Sequence, residues 1–374
     1  MKNLLIRLLS LKYRFIWRPI FFTFESERIH LALTGAGERI GRSRLLCRAI
    51  GGLLAEHNER LVQTIAGITF PNPIGLAAGF DYRAQLPNLL PALGFGLGTI
   101  GTITNQPCAG NPPPRLGRLV QSRALLVNKG FRNEGIRAVT AKLLGQKFEI
   151  PTGLSIGQTN TAKPITSKEA AADIIEAFVA AEVSNVPFSY YELNISCPNL
   201  AGPPTFYHPA HLQELLARLT ELKLTKPLFI KMPIEKTDDE TRAMLTVIAQ
   251  FPVTGVIFGN LQKDRRHPAL VPAEVIKCGR GNFSGKPTFR RSNELIALAF
   301  REYGDKLIIV GCGGVFNAAD AYTKIRLGAS LVQLITGLIF EGPHLAAQIN
   351  RGLLYLLSRD GFSHLSEAVG ADFN

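Results

Sequence analysis

Cysteine, histidine and long apolar runs are all scarce in this chain, and each scarcity removes a class of function. The 374 residues contain five cysteines, an odd number, at Cys47, Cys108, Cys197, Cys278 and Cys312. Their wide spacing includes no CxxC pair, so neither a disulfide framework nor a zinc site is indicated, and a reducing compartment is implied. Seven histidines lie scattered without metal-ligand spacing, so no metal is expected. No window approaches the length of uninterrupted apolar residues that a transmembrane helix needs. The run Leu4-Leu5-Ile6 is too short for a signal-peptide core, and no small-residue cleavage site follows it. Internal repeats and low-complexity segments are also missing.

What remains is the composition of a well-packed enzyme, 46% hydrophobic with 35 glycines. The net charge of +13 favours anionic contacts. The charge is dispersed, however, over residues such as Arg39, Arg42, Arg44, Arg48, Arg115, Arg118 and Arg123. It forms no basic run of the nucleic-acid type, and no nucleic-acid partner is expected. The first 22 residues alternate short apolar runs with Lys2, Arg7, Lys12, Arg14 and Arg18. On a helical wheel Arg7, Arg14 and Arg18 share a face, while Lys2 and Lys12 do not. With Phe15, Trp17, Phe21 and Phe22 nearby, the segment reads as an interfacial helix lying on a membrane. The alternative is a helix docked on its own domain.

Residues 1–65 read as a helical extension, with Gly51-Gly52 as a break, and residues 66–374 as one domain. From about residue 70, short apolar runs alternate with helical stretches, the mark of βα units. Eight runs are expected as strands: Ile74–Ala78, Leu97–Ile103, Gly153–Ile156, Tyr190–Ile195, Leu228–Met232, Val256–Phe258, Leu307–Val310 and Leu331–Ile335. Helical patterns follow most of them, among them Lys168–Ala181, His211–Leu222, Asp238–Gln250, Ser292–Arg301 and Ala318–Arg326. The expected fold is α/β, a (β/α)8 TIM barrel with a small N-terminal helical extension. A doubly wound sheet is the competing architecture, but no strand-linked GxGxxG opens a helix.

The polar and small residues gather where these strands end, which is where such barrels place their chemistry. The fourth run closes in Asn194-Ile195-Ser196-Cys197-Pro198-Asn199, two amides bracketing a thiol. Amides can hydrogen-bond a planar amide-rich ligand, and a thiol can accept a proton once ionised. A buried structural cysteine is the plain alternative. Ala77-Ala78-Gly79-Phe80-Asp81 after the first run allows a flat ligand close to the backbone. The second run supplies Gly101-Thr102, the third Ser155, the fifth the cation Lys231 and the sixth Gly259-Asn260. Gly313-Gly314 and Ile335-Thr336-Gly337 follow the seventh and eighth runs, the usual phosphate position of the fold. Flavin mononucleotide meets all three demands: a flat ring, a cation at its polar end, and one phosphate.

Together these segments resemble the dihydroorotate dehydrogenases, FMN-dependent barrel enzymes of pyrimidine synthesis. The resemblance covers nearly the whole chain and rests on Asn72-Pro73-Ile74-Gly75-Leu76-Ala77-Ala78-Gly79, Asn194–Asn199, Phe283-Ser284-Gly285-Lys286-Pro287 and Gly328-Ala329-Ser330-Leu331-Val332-Gln333. Glu25-Ser26-Glu27-Arg28-Ile29-His30 resembles the extension of the membrane-associated, quinone-reducing class.

The resemblance implies that dihydroorotate passes its C6 hydride to the flavin while Cys197 removes the C5 proton. It assigns Asn128, Lys129, Gly130, Phe131, Asn194, Asn199 and Asn260 to the substrate. It assigns Ala77, Ala78, Gly79, Thr102, Ser155, Asn194, Lys231, Gly259, Gly285, Gly313, Gly314, Ile335 and Thr336 to FMN. Ubiquinone or menaquinone would reoxidise the flavin at a peripheral membrane site, on the cytoplasmic face of the inner membrane if the source is bacterial. Departures from the family pattern are Cys197, where the quinone class usually has serine, and Tyr82, where a lysine is usual. Ser155 stands at an asparagine position, and the Asn128–Asn133 loop is one residue shorter. Lys129 or Arg83 is expected to supply the missing cation. The competing functions are a dihydrouridine-synthase-like reductase acting on RNA and a flavin-binding homologue with lost or altered activity.

Overall fold

The computed structural model describes residues 2–163, 165–202 and 205–373, with the side chains of Lys2 and Asn3 left aside. Met1 and Asn374, the outer limits of the expected two-part division, lie outside the described residues, as do the wheel position of Lys2 and Pro164, Pro203 and Pro204.

Eight parallel strands close into a barrel in chain order: β1 Ile74–Asp81, β2 Leu97–Ile103, β3 Thr152–Ile156, β4 Tyr190–Asn194, β5 Leu228–Met232, β6 Gly255–Phe258, β7 Ile308–Cys312 and β8 Leu331–Leu334. The expected barrel is borne out, and strand ends differ from expectation by a few residues at most. The β strands are apolar on both faces because helices cover one side and the barrel interior the other, as in Leu228-Phe229-Ile230-Lys231-Met232, where every residue is buried. The covering helices are started by local chemistry. Thr166 and Thr237 each form a capping box, with Glu169 and Glu240, ahead of the helices Ser167–Glu182 and Asp238–Ile248. In the helix Pro209–Glu221, Leu212, Leu215, Leu216 and Leu219 repeat at helical spacing and are buried as one stripe.

The two ends of the barrel are closed differently. A hairpin, Gln63–Ile65 with Ile68–Phe70, plugs the amino end, where Ile65 and Phe70 pack with Leu97, Tyr190, Phe229, Ile257 and Leu331. The expected 65/66 boundary thus falls in that hairpin's turn. Over the carboxyl end lies an antiparallel sheet of Leu116–Leu119, Ala124–Val127 and Asn282–Gly285.

The N-terminal extension is helical over α1 Lys2–Lys12, a π turn at Tyr13–Trp17, α2 Arg18–Thr23, α3 Ser26–Gly41 and α4 Arg44–Leu54. The expected break at Gly51-Gly52 is not there. α4 runs through both glycines, with Gly51 facing Ala92 closely, and it ends where Ala55 turns to extended backbone. Tertiary contact here outweighs the low helix propensity of glycine. No helix among the described residues is long and apolar enough to cross a membrane.

One barrel glycine shows how closely the strand ends approach. Gly259, just after β6, has φ +138°, and a Cβ there would collide with the backbone carbonyl of Cys312 on β7. Gly259→Ala should destabilise the protein by roughly 3 kcal/mol in urea unfolding, because overpacking and an unfavourable φ act together.

Candidate active site

The strand ends and the overlying sheet enclose one cavity of about 1180 Å³, open mouth included. Of the residues singled out in the sequence, Ala77, Ala78, Gly79, Thr102, Lys129, Gly130, Phe131, Asn194, Cys197, Asn199, Lys231, Asn260, Gly259, Gly285, Gly313, Gly314, Ile335 and Thr336 all line it. Two do not. Asn128 continues the sheet by donating its backbone N–H to Arg115 (2.8 Å), so strand alternation turns Val127 and Lys129 to the cavity and Asn128 away, where it accepts from Asn111. Ser155 is buried in the wall behind Thr102, its Oγ 3.0 Å from the Thr102 hydroxyl.

The amides at the site are already oriented. Asn194 donates to Thr102 Oγ1 (2.8 Å) and accepts from the backbone and hydroxyl of Ser196. Asn260 donates to Ser196 O (2.8 Å), and Asn199 donates to Val127 O (3.1 Å) while accepting from Asn282 (2.8 Å). Lys231 is 5% exposed, yet its Nζ has a single long hydrogen bond, 3.5 Å to Ala78 O, among the described residues. Beyond β7 and β8, Gly313 and Gly314 (φ +104° and +72°) abut Thr288 and Phe289, and the hydroxyls of Ser284 and Thr336 lie 2.8 Å apart. Cys197 is enclosed, and burial pushes its thiol up to about 12 against the pull of the Asn199 N–H, Lys231 and Lys263. Low dielectric penalises the thiolate.

The mouth faces the N-terminal extension through residues that the sequence analysis did not assign to it: His30, Phe80, Tyr82, Leu116, Leu125, Arg132 and Ile339. His30 stacks on Tyr82 (5.7 Å, 15°) and meets Phe80 edge-on (4.8 Å). Lys129 Nζ sits 3.9 Å from the Tyr82 ring centroid. Arg83, the other candidate cation, pairs instead with Glu134 (3.4 Å) and does not reach the cavity. Burial lowers Lys129 to about 7, with Arg132 and Arg115 adding and Glu27 opposing. Burial, then Lys129, lowers His30 to about 3, so its imidazole is neutral.

Glu27 clasps the extension to the barrel. Its carboxylate accepts from Arg115 (2.9 Å) and Arg132 (2.7 Å). Burial pushes this carboxyl up, but the two guanidinium groups outweigh it and hold it below the usual range.

A parallel barrel with its polar side chains converging at the strand ends defines a (β/α)8 enzyme whose chemistry is at the carboxyl face. A family model described as dihydroorotate dehydrogenase matches residues 60–357. The chain belongs to the dihydroorotate dehydrogenase family, which makes it an oxidoreductase. It is 36% identical over 359 residues to a dihydroorotate dehydrogenase (quinone) of Mycolicibacterium smegmatis, covering 96% of this chain and 99% of that protein. A protein of the same name from Natronomonas pharaonis is 36% identical over 360 residues, covering 95% and 98%. The crystal structure of DHODH from Eimeria tenella in complex with ferulenol aligns with a TM-score of 0.82 at 26% identity, covering 94% of this chain and 96% of that one. These relatives do not favour an RNA reductase or an inactive homologue.

Two measurements probe the mouth. A lysine lowered by folding costs stability below about pH 7, and that cost fades as pH climbs toward the ordinary lysine value. Lys129→Met should accordingly raise Tm by about 2 °C at acid pH, with the gain shrinking in alkaline melts. Glu27 works in the opposite sense: its contribution is present above the ordinary carboxyl range and is lost as pH falls through the lowered value. Glu27→Ala should remove about 1–3 kcal/mol and speed proteolytic cleavage within α3 while the barrel stays folded.

Proposed function

We propose that this protein oxidises dihydroorotate to orotate, with flavin mononucleotide as the hydride acceptor and a quinone as the terminal oxidant, in de novo pyrimidine (UMP) biosynthesis. The observation that carries the reading is the convergence on one cavity of a thiol (Cys197), three oriented amides (Asn194, Asn199, Asn260) and an under-bonded buried cation (Lys231).

The residues present fit flavin mononucleotide. Lys231 keeps most of its hydrogen-bonding capacity for an electron-rich acceptor at the cavity. The small residues Ala77, Ala78 and Gly79 leave room for a flat ring against β1. Gly285, Gly313, Gly314 and Thr336, with the Ser284 hydroxyl, form a cradle suited to one phosphate. Bound there, the flavin would accept the substrate hydride and later reduce the quinone.

The chain's own residues do the rest. Asn194, Asn199 and Asn260 hold the amide edges and carboxylate of the substrate, each oriented by an existing hydrogen bond. Cys197 Sγ, as thiolate, takes the C5 proton. Its own proton must leave first, and Lys231, Lys263 and the Asn199 N–H favour that loss. The Lys231 ammonium balances negative charge developing beside it.

Residues 1–65 would form the quinone- and membrane-associating extension, and 66–374 the flavin-binding barrel. The polarity of the extension supports a peripheral membrane site, on the cytoplasmic face of the inner membrane in a bacterial source. Arg14 bonds to Glu341 (2.9 Å) and Arg18 to Phe340 O (3.2 Å), so that much of the basic face docks on the barrel. Leu4, Leu8, Leu11, Phe15, Ile16, Trp17 and Ile20 are left exposed, as an apolar surface for lipid. Ubiquinone or menaquinone would enter beside His30 and Ile339.

The test is turnover of dihydroorotate with a quinone analogue. Cys197→Ala should retain flavin but reduce it about 10²–10⁴-fold more slowly. In the wild type, the flavin-reduction rate should climb about tenfold per pH unit above neutrality, because the thiolate fraction does. Flavin-loaded protein that dihydroorotate never bleaches would overturn the reading.

A further inference from the structure

Among the buried carboxyls that take no part in the mechanism, Glu192 is the one sealed inside the barrel. Glu192 lies on β4 two residues before Asn194, on the same inward face, and is 0% exposed. Its Oε1 accepts two short hydrogen bonds, from Thr99 Oγ1 (2.7 Å) and Gln333 Nε2 (2.6 Å). Its Oε2 has no partner among the described residues, and neither does Gln333 Oε1. These two orphans belong to side chains already joined to each other, and with Glu192 ionised both are acceptors without a donor. Acceptors left unsatisfied in a barrel interior are costly, because they give up water and gain no donor in return. One proton on Oε2 answers both, since a carboxylic acid donates where its amide partner accepts.

The surroundings agree. The titratable groups facing Glu192 are Lys231 on β5, Tyr190 on β4 and Cys312 on β7, alongside the neutral Thr99 on β2 and Gln333 on β8. Lys231 is near enough to exert a field on the carboxyl, yet its one hydrogen bond goes to Ala78 and not to Glu192. Burial pushes the Glu192 carboxyl up, and Lys231, Thr99 and Gln333 counter it only in part.

We infer that Glu192 is held as a neutral carboxylic acid against the Gln333 amide, a positioning residue that keeps the Lys231 charge uncompensated and directed at the cofactor cavity. A carboxylate in that place would oppose the field of Lys231 at the ring. The consequence for the ring rests on reading the cavity as a flavin site; the protonation state of Glu192 does not.

The holoenzyme with δ-¹³C-glutamate tests the protonation directly. At about pH 8, one glutamate carboxyl should resonate as the protonated acid and fail to titrate toward neutrality from above, since an ordinary glutamate is ionised well below that pH. The two other largely buried glutamates, Glu27 and Glu341, are both ion-paired with arginines, which separates them from the signal sought. Absence of any protonated glutamate would overturn the inference, whether or not the protein carries flavin. Glu192→Gln, an isostere of the acid, should abolish the signal and leave the flavin's reduced-to-oxidised equilibrium within about twofold of the wild type at a fixed potential. A tenfold or larger rise, about 30 mV for a two-electron couple, would mean that a negative charge had been removed, and would also overturn it. A protein that binds no flavin would sink the functional reading while leaving the carboxyl result intact.

Discussion

A lysine ammonium enclosed within a parallel barrel is the constraint around which the carboxyl end of this protein is arranged. β5 carries Lys231 into a layer where every neighbouring residue of the strand is buried, and an ammonium taken out of water must find acceptors or an anion. Among the described residues it has only one long bond, to Ala78 O. Its remaining capacity faces a cavity lined by amides, a thiol and glycine-rich backbone, so the same desolvation that makes the cation costly also makes its field strong where a ring is to be bound. The enclosed cysteine is subject to the same low dielectric, which disfavours its charged, reactive form. Cation and thiol are thus two consequences of one dry pocket.

The second organising contact is the clasp at Glu27. It joins α3 to two arginines from different barrel loops, Arg115 and Arg132, and so fixes where His30 stands over the mouth. The extension is oriented by polar contacts on its inner side, through Tyr13, Arg14 and Arg18 to residues 339–341, which leaves leucines and aromatics outward. The arginines at 14 and 18 dock on the domain, as the docked-helix reading has it, and the surface offered outward is the apolar one. A helical wheel ranks faces by chemistry but cannot say which of two amphipathic faces meets the protein.

The site was legible in its strand-end motifs for a geometric reason. Parallel strands joined by helices must all end at the same face, so residues far apart in sequence, such as Ala78, Asn194, Lys231 and Gly313, are brought together by topology alone. Periodicity and turn residues were enough to set that topology out. Asn128 faces away from the cavity because its orientation depends on the register of a sheet formed with Arg115 and Asn282, and a one-residue alternation decides which side chain faces inward. Ser155 does not line the cavity because a strand residue can point inward and still be covered by a neighbour, here Thr102. The Gly51-Gly52 break failed because helix ends depend on what packs against them, and Gly51 lies against Ala92.

The linear order of residues therefore determined the barrel, the strand ends that carry amide, thiol, cation and glycine, and the kinship of the chain, since periodicity and motif spacing are local properties. Only the tertiary structure decided the charge states and pairings. Lys129, not Arg83, reaches the mouth; burial pushes the Cys197 thiol up; Glu192 is joined to Gln333 inside the barrel. Desolvation and hydrogen-bond satisfaction depend on every group within a few ångströms, and those neighbours come from strands tens to hundreds of residues apart.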